Sequence, residues 1–478
     1  MARNLLISFV LLLVSVPASA EVEIAWTRHY SASEPGKNYA SSIAIDDSGN
    51  VYVTGLSEAP ETMEDYATLK YYPDGDLAWI RLYNGPADSN DQATDIAVDA
   101  VGNSYVTGWS FGNGTDKDYC TIKYDQDGNE LWVARYDGPN NWWDFASALA
   151  VDGEGNVYVT GWSSAKETAV DYTTIRYDSA GTLLWTRRYD GMPRKSWDRA
   201  LDLALDRAGN IHVTGESGGR SSEPVDLDWD TIRTEIWFVM PDYVTVKYDP
   251  LGNENWVNRY GGPANSLDEV YAIAVDDSGN VHVTGSSDKF KGKPGDGWSL
   301  ASGYATVKYY RDGKEAWISR YDARGCIESG ARAIAVDQDG NVFVTGRCGG
   351  GPETNNDYLT VAYDKYGKEL WSARYNGPDN ESDQAEAVDL DASGNVYVAG
   401  TSQNFASNLI TIVKYSPEGN QLWVERSPGK FRDMVIDNAG SIYITGTVWL
   451  DNYNSTYVTM KLVQEPPPSP QGEPSPGE

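Results

Sequence analysis

Apolar and polar residues alternate with a period of two along most of this chain, in short runs broken by Gly, Asn and Asp. That period places successive side chains on opposite faces of a strand, so the pattern predicts strands rather than helices. One stretch shows the unit. Ile96-Ala97-Val98 is a short strand, "DAVGN" from Asp99 is a turn whose glycine can take positive φ, and Ser104 to Gly108 is a second strand. After a variable loop, "DYCTIKYD" alternates as a third strand, "QDGN" turns again, and "ELWVARYDGP" is the fourth. Four antiparallel strands make one blade of a propeller.

The unit recurs. The turn-and-strand motif "DDSGNVYVTG" at Asp46 returns in recognisable form at Asp99, Asp152, Asp206, Asp276, Asp337, Asp391 and Asp437, in steps of 53, 53, 54, 70, 61, 54 and 46 residues. A period near fifty built wholly of strands indicates radial repetition rather than a helical solenoid. The eighth copy supplies "MVID", "SIYITG" and "TYVTMKL" and then meets a proline tail with no fourth strand. The missing strand stands at the other end, where "EIAWTRHY" from Glu23 matches "ELWVARY". The predicted fold is therefore all-β, an eight-bladed beta-propeller of four-stranded antiparallel blades, with the N-terminal strand completing the last blade and removing an exposed sheet edge.

Tryptophan follows the same period. Trp26, Trp79, Trp132, Trp185, Trp256, Trp317, Trp371 and Trp423 occupy the fourth-strand position, one per blade, each with an arginine two or three residues later. A residue present in every unit belongs to the scaffold first, so these indoles are expected to dock between neighbouring blades. The "DxxGNVYVTG…DYxTIKYDxxGNxLWxxRY" unit resembles the bacterial and archaeal beta-propeller repeats called SBBP. The resemblance covers essentially the whole chain after its leader. It implies an extracellular or cell-surface protein and supplies no general catalytic motif to carry over.

Composition narrows the rest. Arg3, the apolar run Leu5 to Val16 and "PASA" ending at Ala20 read as a secretory signal peptide over residues 1–20, too short to span a bilayer. The propeller is expected over 21–465 and a Pro-rich disordered tail over 466–478. The expected product is a secreted, extracellular or periplasmic monomer without membrane insertion, associated with the cell surface in one version of this reading. A formal net charge of −32 and the absence of basic stripes argue against nucleic acid as a partner. Cys120, Cys326 and Cys348 have no zinc-type spacing; Cys326 precedes the first strand of the sixth blade and Cys348 ends its second, so an antiparallel hairpin brings these two to one rim as a disulfide.

Candidate chemistries thin out on inspection. Eight tryptophan-docked blades also resemble the quinoprotein dehydrogenases, but the adjacent cysteine pair of that family is missing, and no cofactor is expected. "DQDGNELW" at Asp125 is similar to a sialidase Asp-box, yet four positions separate Gly128 from Trp132 where that family has three. "DQDGN" at Asp125 and Asp337 hints at calcium without the further ligands an EF-hand-like loop requires, and a glycine turn explains it without metal. His212 and His282 occupy a slot held elsewhere by Tyr52, Tyr105, Tyr158, Phe343, Tyr397 and Tyr443, and His29 lies in the closing strand, so a nucleophile–histidine arrangement finds no members. Eight positions before the turn aspartate stand Asn38, Asp91, Asp144, Asp198, Asp268 and Asp383, expected to ring one mouth of the central channel either as loop caps or as a cation- or substrate-facing set.

The function is expected on the face opposite the repeated turns. There the connections vary, with long insertions from Glu216 and from Asp288, and the remaining tryptophans gather: Trp109, Trp142, Trp143, Trp162, Trp197, Trp229, Trp237, Trp298 and Trp449. Trp142, Trp143, Asp144, Trp197, Asp198, Trp229 and Trp298, with the lysines Lys289, Lys291 and Lys293 nearby, form the expected ligand-binding set. The leading reading is a non-enzymatic binding module for a glycan or an extracellular protein. The alternative is a carbohydrate-active hydrolase or lyase using Asp144, Asp198 and Glu216.

Overall fold

The computed structural model describes residues 22–464 apart from 34–35, 59–62, 167, 192–195, 219–239, 265, 292–298, 324, 327, 350–354, 406 and 452–453. It consists of eight four-stranded antiparallel sheets whose first strands touch one another in a closed ring. Blades one to seven are consecutive in sequence, over 38–83, 91–136, 144–189, 198–260, 268–321, 328–375 and 383–428. The eighth takes three strands from 430–464 and its fourth from Val22–Tyr30, which pairs from Val22↔Gln464 to Tyr30↔Tyr457. The ring is closed by the two ends of the chain, as the repeat count requires.

Each blade is held by the same small devices. In the second blade, Asp125 Oδ1 accepts the backbone N–H groups of Asp127 and Asn129 and Oδ2 accepts Asn129 Nδ2, so this carboxylate is spent on its own turn. Asp337 does the same with Asp339 and Asn341, which accounts for "DQDGN" without an ion. At Asp46 the second oxygen also receives the Tyr52 hydroxyl, and at Asp206 and Asp276 the histidines of that slot stand in its place, Nε2 at 3.3 and 3.4 Å. Burial lowers the pKa of both rings, so they fill an aromatic slot as neutral groups. The glycine of "VTG" lets the second strand approach the first: a Cβ on Gly108 would collide with the Gln92 carbonyl.

Neighbouring blades are joined at two levels. Toward the variable face, a fully buried third-strand tyrosine donates its hydroxyl to a backbone carbonyl of the next blade. Tyr66 reaches Cys120, Tyr119 reaches Thr173, and Tyr457 of the eighth blade reaches Leu56 of the first. Toward the turn face, the fourth-strand indoles donate Nε1 to the turn between the third and fourth strands of the next blade. The acceptors of Trp26, Trp79, Trp132, Trp185, Trp256, Trp317 and Trp371 are the carbonyls of Pro73, Gln126, Ser179, Pro250, Arg311, Lys365 and Pro417. Trp423 Nε1 has no acceptor among the described residues. The reason is topological: the eighth blade is closed by the chain ends and has no third-to-fourth turn to offer a carbonyl.

The arginines that follow these tryptophans split into two classes that the pattern merged. Arg28, Arg81 and Arg187, two residues on, bond the same turns as the indoles. Arg135, Arg188 and Arg259, three residues on, point the other way and pair with Asp118, Asp171 and Asp242 of their own blade. Alternation along a strand reverses the face with each residue, so a shift of one changes the partner entirely. Cys326 and Cys348 are joined by a disulfide across the first hairpin of the sixth blade, with Cα atoms 5.4 Å apart, and Cys120 is a buried free thiol.

Candidate functional site

The crossovers between blades leave from the fourth strand and enter the first strand of the next blade on the variable face. Trp142 and Trp143 lie in the crossover from the second blade to the third, where Asn141 takes positive φ, and Trp197 lies in the following one. Ser164 fixes Trp143 by donating both its N–H and its hydroxyl to the Trp143 carbonyl, at 3.0 and 2.9 Å. Trp197 forms an isolated parallel bridge with Val170. Trp143 and Trp197 are thus held at the backbone, while Trp142, Trp143 and Trp197 stay 50%, 52% and 37% exposed.

Together they wall a cavity of about 630 Å³ with Phe145 and Trp162. Phe145 and Trp162 face each other across the first two strands of the third blade and stack at 4.3 Å between centroids. Trp109, the equivalent of Trp162 one blade earlier, packs on Phe145 at 5.7 Å. Two cations flank this wall. Lys117 Nζ sits 3.8 Å from the Trp109 centroid and 4.9 Å from Phe145, and the Arg199 guanidinium lies 4.5 Å from Trp197 and 5.8 Å from Trp162. Such contacts with ring faces stabilise a cation by about 0.5–2 kcal/mol, depending on desolvation. A cavity of this size, mostly apolar with a few polar groups, is the usual form of a small-ligand site.

Asp144 and Asp198 do not belong to this surface, which corrects their place in the expected binding set. They are 1% and 0% exposed and cap the crossovers from below: Asp144 Oδ2 accepts Gly138 N–H at 2.7 Å, and Asp198 Oδ2 accepts Gly191 N–H at 2.9 Å. Burial pushes the Asp144 carboxyl up to about 7. The rest of the set is buried and bonded in the same way, Asp91 accepting the Gly85 and Phe111 N–H groups, Asp268 that of Gly262 and Asp383 that of Gly377. Residues one position later, Phe145, Arg199 and Glu269, line cavities in their stead. The strand period explains the error, because a shift of one residue exchanges the packed face for the open one. Oxygens of Asp118, Asp137 and Asp144, and of Asp171, Asp190 and Asp198, lie within 4.8 Å of one another and present metal-ligand chemistry. A guanidinium already occupies each neighbourhood, Arg135 on Asp118 at 2.8 Å and Arg188 on Asp171 at 2.7 Å.

Further round the mouth the lining turns charged. Glu216 pairs across strands with Arg199, the position that holds Trp162 opposite Phe145 one blade earlier. Burial, with Glu269 adding to it, pushes the Glu216 carboxyl up to about 7. Glu269 accepts the Tyr271 hydroxyl at 2.9 Å, and Arg332 covers the Tyr271 ring at 3.8 Å beside a second cavity of about 350 Å³. Lys289 pairs with Asp322. Trp229, Trp237, Trp298 and Lys293 lie outside the described residues, as does the side chain of Lys291. Sequence reasoning missed Phe145, Lys117 and Arg199. The available signal was the repeat itself, since Phe145 and Arg199 each follow a capping aspartate at a position that varies from blade to blade.

Comparison with known proteins agrees with this architecture. Residues 26–59, 78–114, 144–166 and 255–289 match the family model described as SBBP, beta-propeller repeat. The chain is a beta-propeller that carries SBBP repeats in these four stretches. An uncharacterized WD repeat-containing protein of Acanthamoeba polyphaga mimivirus is 21% identical to this chain over 456 residues, an alignment covering 72% of the chain. The chain spans only 32% of that relative's length. Among solved structures, the beta-propeller domain of the Trilobed protease from Pyrococcus furiosus is similar at 12% identity and a TM-score of 0.41, covering 82% of this chain and 96% of that one. A polysaccharide lyase is similar at 9% identity and a TM-score of 0.42, covering 76% and 88%. Likenesses at this level carry no weight for function.

Proposed function

We propose that this beta-propeller is an exported, non-enzymatic binding module that takes a glycan in the tryptophan-walled cavity of its variable-loop face. The observation that carries the reading is the wall itself. Trp142, Trp143 and Trp197 are large apolar side chains, the last two fixed at the backbone, yet they leave a third to a half of their surface to water. Burying the exposed half of one indole, about 100 Å², against an apolar face is worth about 2.5 kcal/mol. Pyranose rings offer such faces along one side and hydroxyls along the other. An extracellular protein presenting an apolar edge is the competing partner for the same wall.

The catalytic alternative, a carbohydrate-active hydrolase or lyase, draws on one observation, the raised carboxyl of Glu216 near Glu269. It has lost its other named acids, since Asp144 and Asp198 are capping groups beneath the surface. The deciding experiment is a glycan array with the exported protein, followed by titration of soluble hits monitored by tryptophan fluorescence. Saturable binding without new reducing ends or unsaturated products is expected. Trp142→Ala or Trp143→Ala is expected to weaken it by about 1–3 kcal/mol with little change in melting temperature. Product formation would overturn the non-enzymatic reading, and unchanged affinity in both variants would move the site elsewhere.

A further inference from the structure

Arg199 and Lys117 are out of keeping with their surroundings. The chain has a formal net charge of −32, and half-buried arginines such as Arg135, Arg188 and Arg259 each pair with an aspartate. Among the described residues, neither Arg199 nor Lys117 forms an ion pair, and Arg199 Nε is buried without a hydrogen-bond partner. Both instead lie on aromatic faces of the cavity wall, on opposite sides of the Phe145–Trp162 stack. Carboxylates are near but not joined to them: Asp116 and Glu64 beside Lys117, and Glu216 across the strand from Arg199. Asp116 uses an oxygen on the Lys117 backbone N–H.

We propose that this cavity selects an acidic glycan, one whose uronate carboxylate pairs with Arg199 while its pyranose face lies on the indoles. The inference rests on the glycan-binding reading above and adds the charge of the ligand. A guanidinium offers parallel N–H donors that match a carboxylate, and Arg199 lines the cavity with its guanidinium against the Trp162 and Trp197 rings. Lys117 supplies a second positive charge along the same wall, suited to the next acidic residue of a polymer. Burial lowers the pKa of both groups despite nearby carboxylates, so each cation has lost more hydration than Glu216, or Asp116 and Glu64, return. An anionic ligand would return it. The half-exposed Trp142 and Trp143 leave the wall open along the rim, which fits a chain running across the site better than an enclosed small acid.

The test uses matched probes: oligogalacturonate, oligomannuronate and oligoglucuronate, with the methyl ester of each, titrated against the full exported chain. Saturable binding of at least one uronate is expected, weakened tenfold or more by esterification, which keeps the sugar and removes the charge. Arg199→Gln is expected to weaken the free acid at least tenfold and leave any residual binding of the ester unchanged. Lys117→Gln acts as an independent variant with a smaller loss of the same kind, and thermal unfolding of both checks that the fold persists. If esters or neutral oligosaccharides bind as tightly as the acids, with a loss on Trp142→Ala, the charge inference is overturned and the glycan reading stands. If no saccharide binds, both are overturned.

Discussion

The unmatched indole of Trp423 allows the seam between blades to be dissected by one conservative change made at two sites. Trp371 and Trp423 are both half-buried, hold the same fourth-strand position in consecutive blades, and pack on the equivalent second-strand ring of their own blade, Phe343 for the first and Tyr397 for the second. They differ in what the next blade offers: Trp371 meets the Tyr415 ring at 5.8 Å and its Nε1 donates to the Pro417 carbonyl at 2.8 Å, whereas the position of Tyr415 is Leu462 in the eighth blade and Trp423 Nε1 is a buried donor without an acceptor among the described residues. Replacement by Phe removes the N–H and about 40 Å² of ring in each, so the apolar loss is about 1 kcal/mol at both sites. At Trp371 a hydrogen bond of about 1 kcal/mol goes as well, while at Trp423 an unsatisfied donor is removed and about 1 kcal/mol is recovered. Trp371→Phe is therefore expected to cost about 2 kcal/mol and Trp423→Phe close to zero. Equilibrium urea unfolding, followed by far-UV circular dichroism and by fluorescence, measures the difference provided the two probes coincide. Equal costs, or a larger cost at Trp423, would refute the account of the seam.

Three further outcomes follow from the same geometry. Removing residues 21–32 takes away the strand that pairs with the C-terminal strand and the buried Trp26, so the truncated chain is expected to lose at least the 3–5 kcal/mol of the indole and to aggregate through its open edge; unchanged melting and light scattering would contradict ring closure. Gly181→Ala should destabilise more than Gly114→Ala, since both glycines have φ near +85° but only at Gly181 would a Cβ strike an indole, that of Trp132; equal shifts in melting temperature would count against this packing. Stability should fall as pH rises from about 4 to about 7, because burial raises Asp144, Asp202 and Glu216 to about 7 and Asp268 and Asp433 to about 6 in the folded chain, so the folded state holds protons the unfolded chain has released. Asp202→Asn should flatten that slope, and a melting temperature that climbs from pH 5 to pH 8 would reverse the argued sign.

How much of this protein its sequence determined depends on which interactions recur. The turn "DxxGN", the strand "VYVTG" and the fourth-strand tryptophan serve the same contact in blade after blade, so their spacing alone gave eight blades and the closure by the N-terminal strand. Local chemistry suffices there, because an aspartate bonding to its own turn needs no distant partner. The site is different. Arg199 acquires meaning only when the crossover holding Trp197 and the strand holding Trp162 meet beside it, and Lys117 only when Trp109 and Phe145 pack over it. The demotion of Asp144 and Asp198 from ligand-facing acids to buried caps was likewise invisible in a pattern that fixes which residues alternate but not which face the ring leaves open. That choice is made by the neighbouring blade, whose packing covers one set of alternate positions and leaves the other at the mouth.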